Sequence, residues 1–154
     1  MRPPLTIRVA KAADSHSIWR IHTEAIRAIE DTYTSEEVES WAGKHKPDGY
    51  AEPIAAQRIF VAELNGEIVG FGQFNAVTAV IERIYVLPSA SRSGVGHALM
   101  REAERRGIAA GCSKLYLSSS LNAVAFYERC GFVRNTLAGP PSRGEGVPMV
   151  KTAQ

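Results

Sequence analysis

In "LTIRVAKA", Leu5, Ile7 and Val9 alternate with polar neighbours, which predicts a half-buried first strand. Asp14 is placed to cap a helix along which Ile18, Ile21, Ala25 and Ile29 recur at helical spacing. Thr34 followed by Glu37 forms a capping box and predicts a shorter second helix with Val38 and Trp41 on one side. "GKHKPDGYAEPIAAQ" is dense in glycine, proline and charge, and predicts a loop with one helical turn. Strand character returns in "RIFVAEL" and "EIVGFGQF", which the Asn65-Gly66 pair joins as a hairpin. "AVIERIYVL" adds a third strand, so Arg58 to Leu87 reads as an antiparallel meander.

Beyond the meander, Val95, Ala98, Leu99 and Ala103 give a helix an apolar face, and Gly111 is placed to end it. "KLYLSSS" predicts a strand, and "NAVAFYERC" a short helix with Ala123, Phe126, Tyr127 and Cys130 on one face, stopped by Gly131. "FVRNTLA" predicts a strand, "GPPSRGEG" a loop and "VPMVK" a last short strand. The sum is an α+β chain with a mixed sheet. "AVIERIYVL" and "KLYLSSS" flank a helix, so they form a right-handed parallel crossover. Ligands of such units tend to sit at the carboxyl ends of the strands, and "SRSGVGHA" lies there.

Composition narrows the classes. The 154 residues are most economically one domain, spanning 1–154, and 45% hydrophobic with 22% charged residues suits neither a disordered nor a fibrous chain. Lys and Arg number 18 against 16 acids, and a net charge of +2 is too weak a bias to point to nucleic acid. No apolar run approaches the ~20 residues that span a bilayer, and "MRPPLTIRVAKAAD" lacks a signal-peptide core. The expectation is a cytoplasmic protein with no membrane partner. Cys112 and Cys130 match no CxxC spacing and read as buried, reduced thiols. His16, His22, His45 and His97 form no ligand cluster, so no metal is expected.

Gly94 and Gly96 are poor helix formers, yet a helix starts at them. The first turn of a helix has unpartnered N–H groups and a positive dipole end. Without side chains at Gly94 and Gly96, an anionic group such as a pyrophosphate can approach those amides, with Arg92 and Ser93 as further donors. A P-loop requires Lys then Ser or Thr where His97-Ala98 stands, and a dinucleotide fingerprint requires glycine where Leu99 stands. A flexible loop without a ligand is the remaining reading. Spacing alone leaves the choice open.

Two stretches together resemble the GNAT superfamily of N-acetyltransferases, over almost the whole chain: "YVLPSASRSGVGHAL" and "SSSLNAVAFYERCGF". The first matches the family's acetyl-coenzyme A motif, a hydrophobic strand, proline, Gln/Arg-x-x-Gly-x-Gly/Ala and an amphipathic helix. The second matches its alanine, aromatic-tyrosine and Gly-Phe pattern. The resemblance implies a GNAT-like, mostly antiparallel sheet of about six to seven strands, with one splayed parallel pair and helices on both faces. It implies acetyl-coenzyme A as co-substrate, its diphosphate on the turn from Arg92 through Ser93, Gly94, Val95 and Gly96 to His97. It implies that the pantetheine arm pairs with the backbone of Ile84, Tyr85 and Val86. Two positions depart from the family pattern: its Gln/Arg falls on Ser91 with the cation at Arg92, and its cofactor-binding Asn falls on Ser120 with Asn122 two residues later.

The implied activity is transfer of an acetyl group to a primary amine of a small molecule or peptide, by direct attack through a tetrahedral intermediate. A primary alkylamine with a pKa near ~10.4 must be presented neutral, at a cost of about 4–5 kcal/mol at pH 7. Glu82, expected to share a strand face with Ile84 and Val86, is the candidate base, acting through water or with a raised pKa. A solvated ion pair, with Arg83 for example, is the competing role for Glu82. A backbone N–H near Val86 is the candidate oxyanion donor. Tyr127 reads as a core aromatic from its neighbours and as the acid for the leaving thiolate from the family pattern. Tyr33, Trp41, Tyr50 and the "GPPSRGEG" loop lie in regions that wall the acceptor site of the family. A non-catalytic coenzyme A-binding or sensing domain of the same fold is the alternative, and dimers are frequent in the family.

Overall fold

Asn65 and Gly66 both take positive φ, 55° and 77°, the geometry of a two-residue hairpin. They join β2 (Ile59–Leu64) to β3 (Glu67–Asn75), paired antiparallel from Leu64 against Glu67 to Ile59 against Gln73. β4 (Val80–Val86) completes the meander and β1 (Leu5–Val9) pairs with the far edge of β2. Beyond β4 come β5 (Lys114–Ser119), β7 (Val147–Thr152) and a two-residue edge, β6 (Val133–Arg134). This computed structural model describes residues 4–29, 33–138 and 146–153. Among them the sheet is antiparallel throughout except where β4 meets β5.

Alternation along β3 assigns the two faces of the sheet. Gly70 faces α4 (Val95–Ala109): a Cβ there would meet Val95 Cγ1 at 2.9 Å and Leu99 Cδ1 at 3.1 Å. Phe71 faces the other way, its ring centroid 5.8 Å from that of His22 on α1 (Ser15–Arg27). Helices therefore cover both faces, and β2, buried on both sides at Ile59, Phe60, Val61 and Ala62, carries the core. α2 (Ser35–Ala42) opens on the predicted capping box, with Glu37 N–H donating to Thr34 Oγ1 and Thr34 N–H to Glu37 Oε1, both at 3.1 Å. Val38 and Ala42 bury against Ile26 of α1. α4 and α5 (Val124–Arg129) end at Gly111 and Gly131, which take φ of 81° and 97°.

Several expectations are corrected. Asp14 does not cap α1 with its side chain. It ends a 3-10 turn, Ala12–Asp14, and its carboxylate accepts from Lys11 N–H and from Arg8 Nη1, both at 2.8 Å. The segment expected to be a loop with one turn holds two, a 3-10 turn at Pro47–Tyr50 that runs into α3 (Ala51–Ala55). "FVRNTLA" is a strand only at Val133–Arg134. Asn135 N–H makes a last bond to Pro148 O at 2.8 Å, and Thr136–Ala138 then coils into a 3-10 turn. Cys112 and Cys130 are free thiols, half-buried rather than buried. All of "GPPSRGEG" except Gly146 lies outside the described residues.

Candidate active site

β4 and β5 share a single register pair, Val80 against Tyr116, with Tyr116 N–H donating to Ala79 O at 2.9 Å. Past that point they part, and a cleft of about 810 Å³ opens between them. On the side of β4 that keeps its neighbour, Leu87 N–H donates to Val69 O at 2.8 Å. Backbone groups alternate along an antiparallel strand, so those of Ile84 and Val86 project from the opposite edge, into the gap. Ile84, Tyr85 and Val86 line one wall of the cleft, and Ser120, Asn122 and Tyr127 line the other.

The cleft runs to Pro88 and Ser91, on the turn that precedes α4. Arg92 through His97, which follow Ser91 in the chain, lie outside this lining. Gly94 occupies the N-cap of α4 in the left-handed region, φ 84°, with open space where a side chain would stand. No side chain caps the helix, and its first internal bond is Ala98 N–H to Gly94 O at 3.1 Å. The amides of Val95, Gly96 and His97 are thus without helical partners. Gly96 has a different reason to be glycine: a Cβ there would lie 3.1 Å from the Phe126 ring of α5. Val95 is buried and offers only its amide. Both donors of Ser93, N–H and O–H, go to Ala90 O. Arg92 is exposed. The His97 ring packs on Phe126, centroids 5.1 Å apart, with Nδ1 3.7 Å from Cys130 Sγ.

Ser120 and Asn122, which straddle the position of the family asparagine, are joined: Ser120 Oγ donates to Asn122 Oδ1 at 2.7 Å. Between them Leu121 N–H donates to the Tyr33 hydroxyl at 2.8 Å, so Tyr33 bridges the cleft to the turn after β5. Trp41 of α2 stacks edge-on against Tyr33, centroids 4.6 Å apart. Tyr127 is buried on α5 with its hydroxyl toward the cleft, where no described residue hydrogen-bonds it. Burial, with Tyr85 and Cys130 beside it, pushes the Tyr127 phenol well above its ordinary value.

Glu82 is not on a face shared with Ile84 and Val86. Gln73 pairs with Arg83 and Phe74 with Ile81, so Glu82 is the extra residue of a β-bulge. A bulge breaks alternation. Here it lets one buried side chain, Gln73, reach two consecutive residues: Nε2 donates to Glu82 Oε1 at 2.9 Å and Oε1 accepts from Arg83 Nη1 at 3.3 Å. Glu82 also lies 3.8 Å from Arg58 Nη1.

Three residues that line this end of the cleft, His22, His45 and Arg83, and the buried Gln73 bonded to Arg83 go unmarked by sequence reasoning as functional. His22 Nδ1 lies 2.8 Å from the buried Tyr50 hydroxyl, and its ring stacks 3.9 Å from His45 and 4.4 Å from Tyr85. Burial, aided by the charges of His45 and Arg83, pushes His22 down to about 2, so it is neutral. The available signal was a histidine set among isoleucines on the apolar stripe of the first helix. Tyr50, expected to wall the acceptor site, is instead buried behind His22, with the Arg83 guanidinium 5.3 Å above its ring.

The profile of the Acetyltransferase (GNAT) family matches residues 18–132, three quarters of the chain. The chain belongs to the GNAT family. A GCN5-related N-acetyltransferase from Rhodopseudomonas palustris superposes with a TM-score of 0.84 at 24% identity, over 99% of this chain and 96% of that one. The PaiA N-acetyltransferase from Thermoplasma acidophilum, solved with coenzyme A, gives 0.83 at 19% identity, over 97% and 99%. At such identities the likeness is one of fold. No curated protein matches the chain by sequence search. The GNAT architecture, a seven-stranded, mostly antiparallel sheet with one parallel pair, is the one observed. Family and fold together support acetyl-coenzyme A-dependent acetyl transfer as the general chemistry.

Proposed function

We propose that this GNAT chain is an N-acetyltransferase that moves an acetyl group from acetyl-coenzyme A to a primary amine. The observation that carries the reading is the opening between β4 and β5, edged by unpaired backbone and leading to an uncapped helix terminus. The parts fit the ligand: an extended amide-bearing arm suits the Ile84 and Val86 edge, and a diphosphate suits the bare amides at Gly94 to His97. Acetyl-coenzyme A, when bound, supplies the acyl group as a thioester. Glu82 takes the proton released by the amine, through water. Val86 N–H, aimed into the gap, stabilises negative charge on the carbonyl oxygen. Tyr127 stays a neutral phenol because burial opposes its ionisation. Its part is to donate a hydrogen bond to the departing sulfur, since full transfer from a phenol above ~10 to a thiolate near ~8.5 is uphill by more than about 2 kcal/mol.

Two measurements test this. At 100 times its dissociation constant acetyl-coenzyme A adds about 2.7 kcal/mol, which raises the melting temperature of a chain of this size by about 5–10 °C. No shift overturns cofactor binding. Thiol release across a panel of amines then separates an enzyme from a coenzyme A-sensing domain, because only the enzyme turns over.

A further inference from the structure

Arg83 is the only lysine or arginine among the described residues that line the cleft. Its guanidinium forms no ion pair among those residues. One N–H goes to Gln73, the plane lies over Tyr50, and the other donors make no hydrogen bond among the described residues. The carboxylate next to it in sequence, Glu82, turns to Gln73 and Arg58 instead. Glu37, the other described carboxylate of the lining, is held in its capping box. Burial and the Arg83 charge both oppose protonation of the neighbouring His22 and His45. The result is one forked, charged donor without an ion-pair partner among the described residues, bridged to one carboxylate by the Gln73 amide through hydrogen bonds of 3.3 and 2.9 Å. The β-bulge creates this arrangement, since on a regular strand residues 82 and 83 would face opposite ways.

We propose that Arg83 binds a carboxylate of the acceptor, and that the substrate class is therefore the α-amino acids and equally compact amino carboxylates. This deepens the acetyltransferase reading and rests on it. A guanidinium fork matches the two oxygens of a carboxylate in a bidentate pair. Its single charge balances one carboxylate, whereas a phosphate dianion would leave excess negative charge next to Glu82. The Gln73 bridge keeps Glu82 and Arg83 close, so the amine, one water from Glu82, and the anion to be anchored sit near one another, as they do in a compact amino carboxylate. Polyamines, which bring only cations, would meet Arg83 with like charge.

The test compares α-amino acids with their carboxamides, and with a γ-amino acid, by thiol release from acetyl-coenzyme A, using wild type, R83Q and R83K. Wild type should favour the acid over its carboxamide at least tenfold in kcat/KM, mostly through KM, and should lose that preference for the γ-amino acid. R83Q should bring the acid-to-carboxamide ratio near one, chiefly by raising KM for the acid, and R83K should restore part of the ratio. The melting shift with coenzyme A should be the same in all three proteins, which shows that the variants fold and hold the cofactor. Equal use of acid and carboxamide by wild type, preference for polyamines or peptide N-termini, or an R83Q loss that falls equally on both substrates overturns the proposal. A coenzyme A shift without turnover of any amino carboxylate overturns the acceptor assignment alone. Absence of that shift overturns the acetyltransferase reading itself.

Discussion

Glu82 and Arg83 are consecutive in β4, and the one buried side chain of Gln73 hydrogen-bonds both. Glu82→Gln keeps the hydrogen-bonding shape but removes the proposed base, so kcat/KM should fall by about 10²–10⁴ at pH 7, with partial recovery at high pH where the amine is already neutral. Tyr127→Phe removes one hydrogen bond to the leaving group, and kcat should fall while the acceptor's KM holds. Steady-state kinetics separate the two. His22 gives a stability prediction. The unfolded chain takes up a proton as pH drops through about 6.5, but the folded chain holds His22 neutral down to about 2. Stability therefore falls as pH drops across that window, by about 1 kcal/mol between pH 7 and 5.5 from this residue alone. Urea unfolding at the two pH values should show the loss in wild type, and His22→Gln should reduce it. At this scale the sequence offered Tyr127 and Glu82 as candidates, and both line the cleft. It hid their surroundings, because a single inserted residue in β4 changes which side chains meet and leaves no mark on the period-two pattern.

At the level of elements, local chemistry decides what can be read. Asn65-Gly66 and the stops at Gly111 and Gly131 are set by a left-handed backbone that few residues adopt, the Thr34/Glu37 box by reciprocal side-chain bonds to amides, and each occurs where the sequence places it. Asp14 misled because its carboxylate has a stronger partner in Arg8 than the amides of α1 offer. "FVRNTLA" misled because strand propensity in an edge segment is overridden once its neighbour, β7, stops offering partners. The opening of α4 shows two glycines with unlike duties. Gly94→Ala meets no neighbour but must hold a left-handed backbone, at a cost of about 1–2 kcal/mol. Gly96→Ala has an ordinary backbone but presses on Phe126, which precedes Tyr127 on α5. The expected signature is that Gly94→Ala lowers melting temperature and weakens coenzyme A binding, whereas Gly96→Ala also lowers kcat. Calorimetry and turnover on the same samples check this.

For the whole molecule, the order of strands was legible as far as the parallel crossover, since a helix between two strands permits little else. The extent of the gap between β4 and β5 was not, because no residue type announces the end of a ladder. It entered only through the family resemblance. That gap leaves alternate amides of β4 in different company. Ile84 and Val86 N–H should exchange with deuterium faster than Tyr85 and Leu87 in the free protein, and coenzyme A should slow the first pair selectively. Residue-resolved exchange with and without the ligand reads this directly.

With only Val80 and Tyr116 stitched together, the sheet resembles an open book whose spine is one stitch long. Each cover is firm, yet nothing in the backbone ladder sets the angle between them beyond that stitch. On the acetyltransferase reading proposed above, a nucleotide thioester bound in the gap acts as a page that fixes the angle, bringing Tyr127 on one cover into line with Val86 and Glu82 on the other. Saturation with cofactor should accordingly sharpen acceptor binding without any contact between the two molecules being needed.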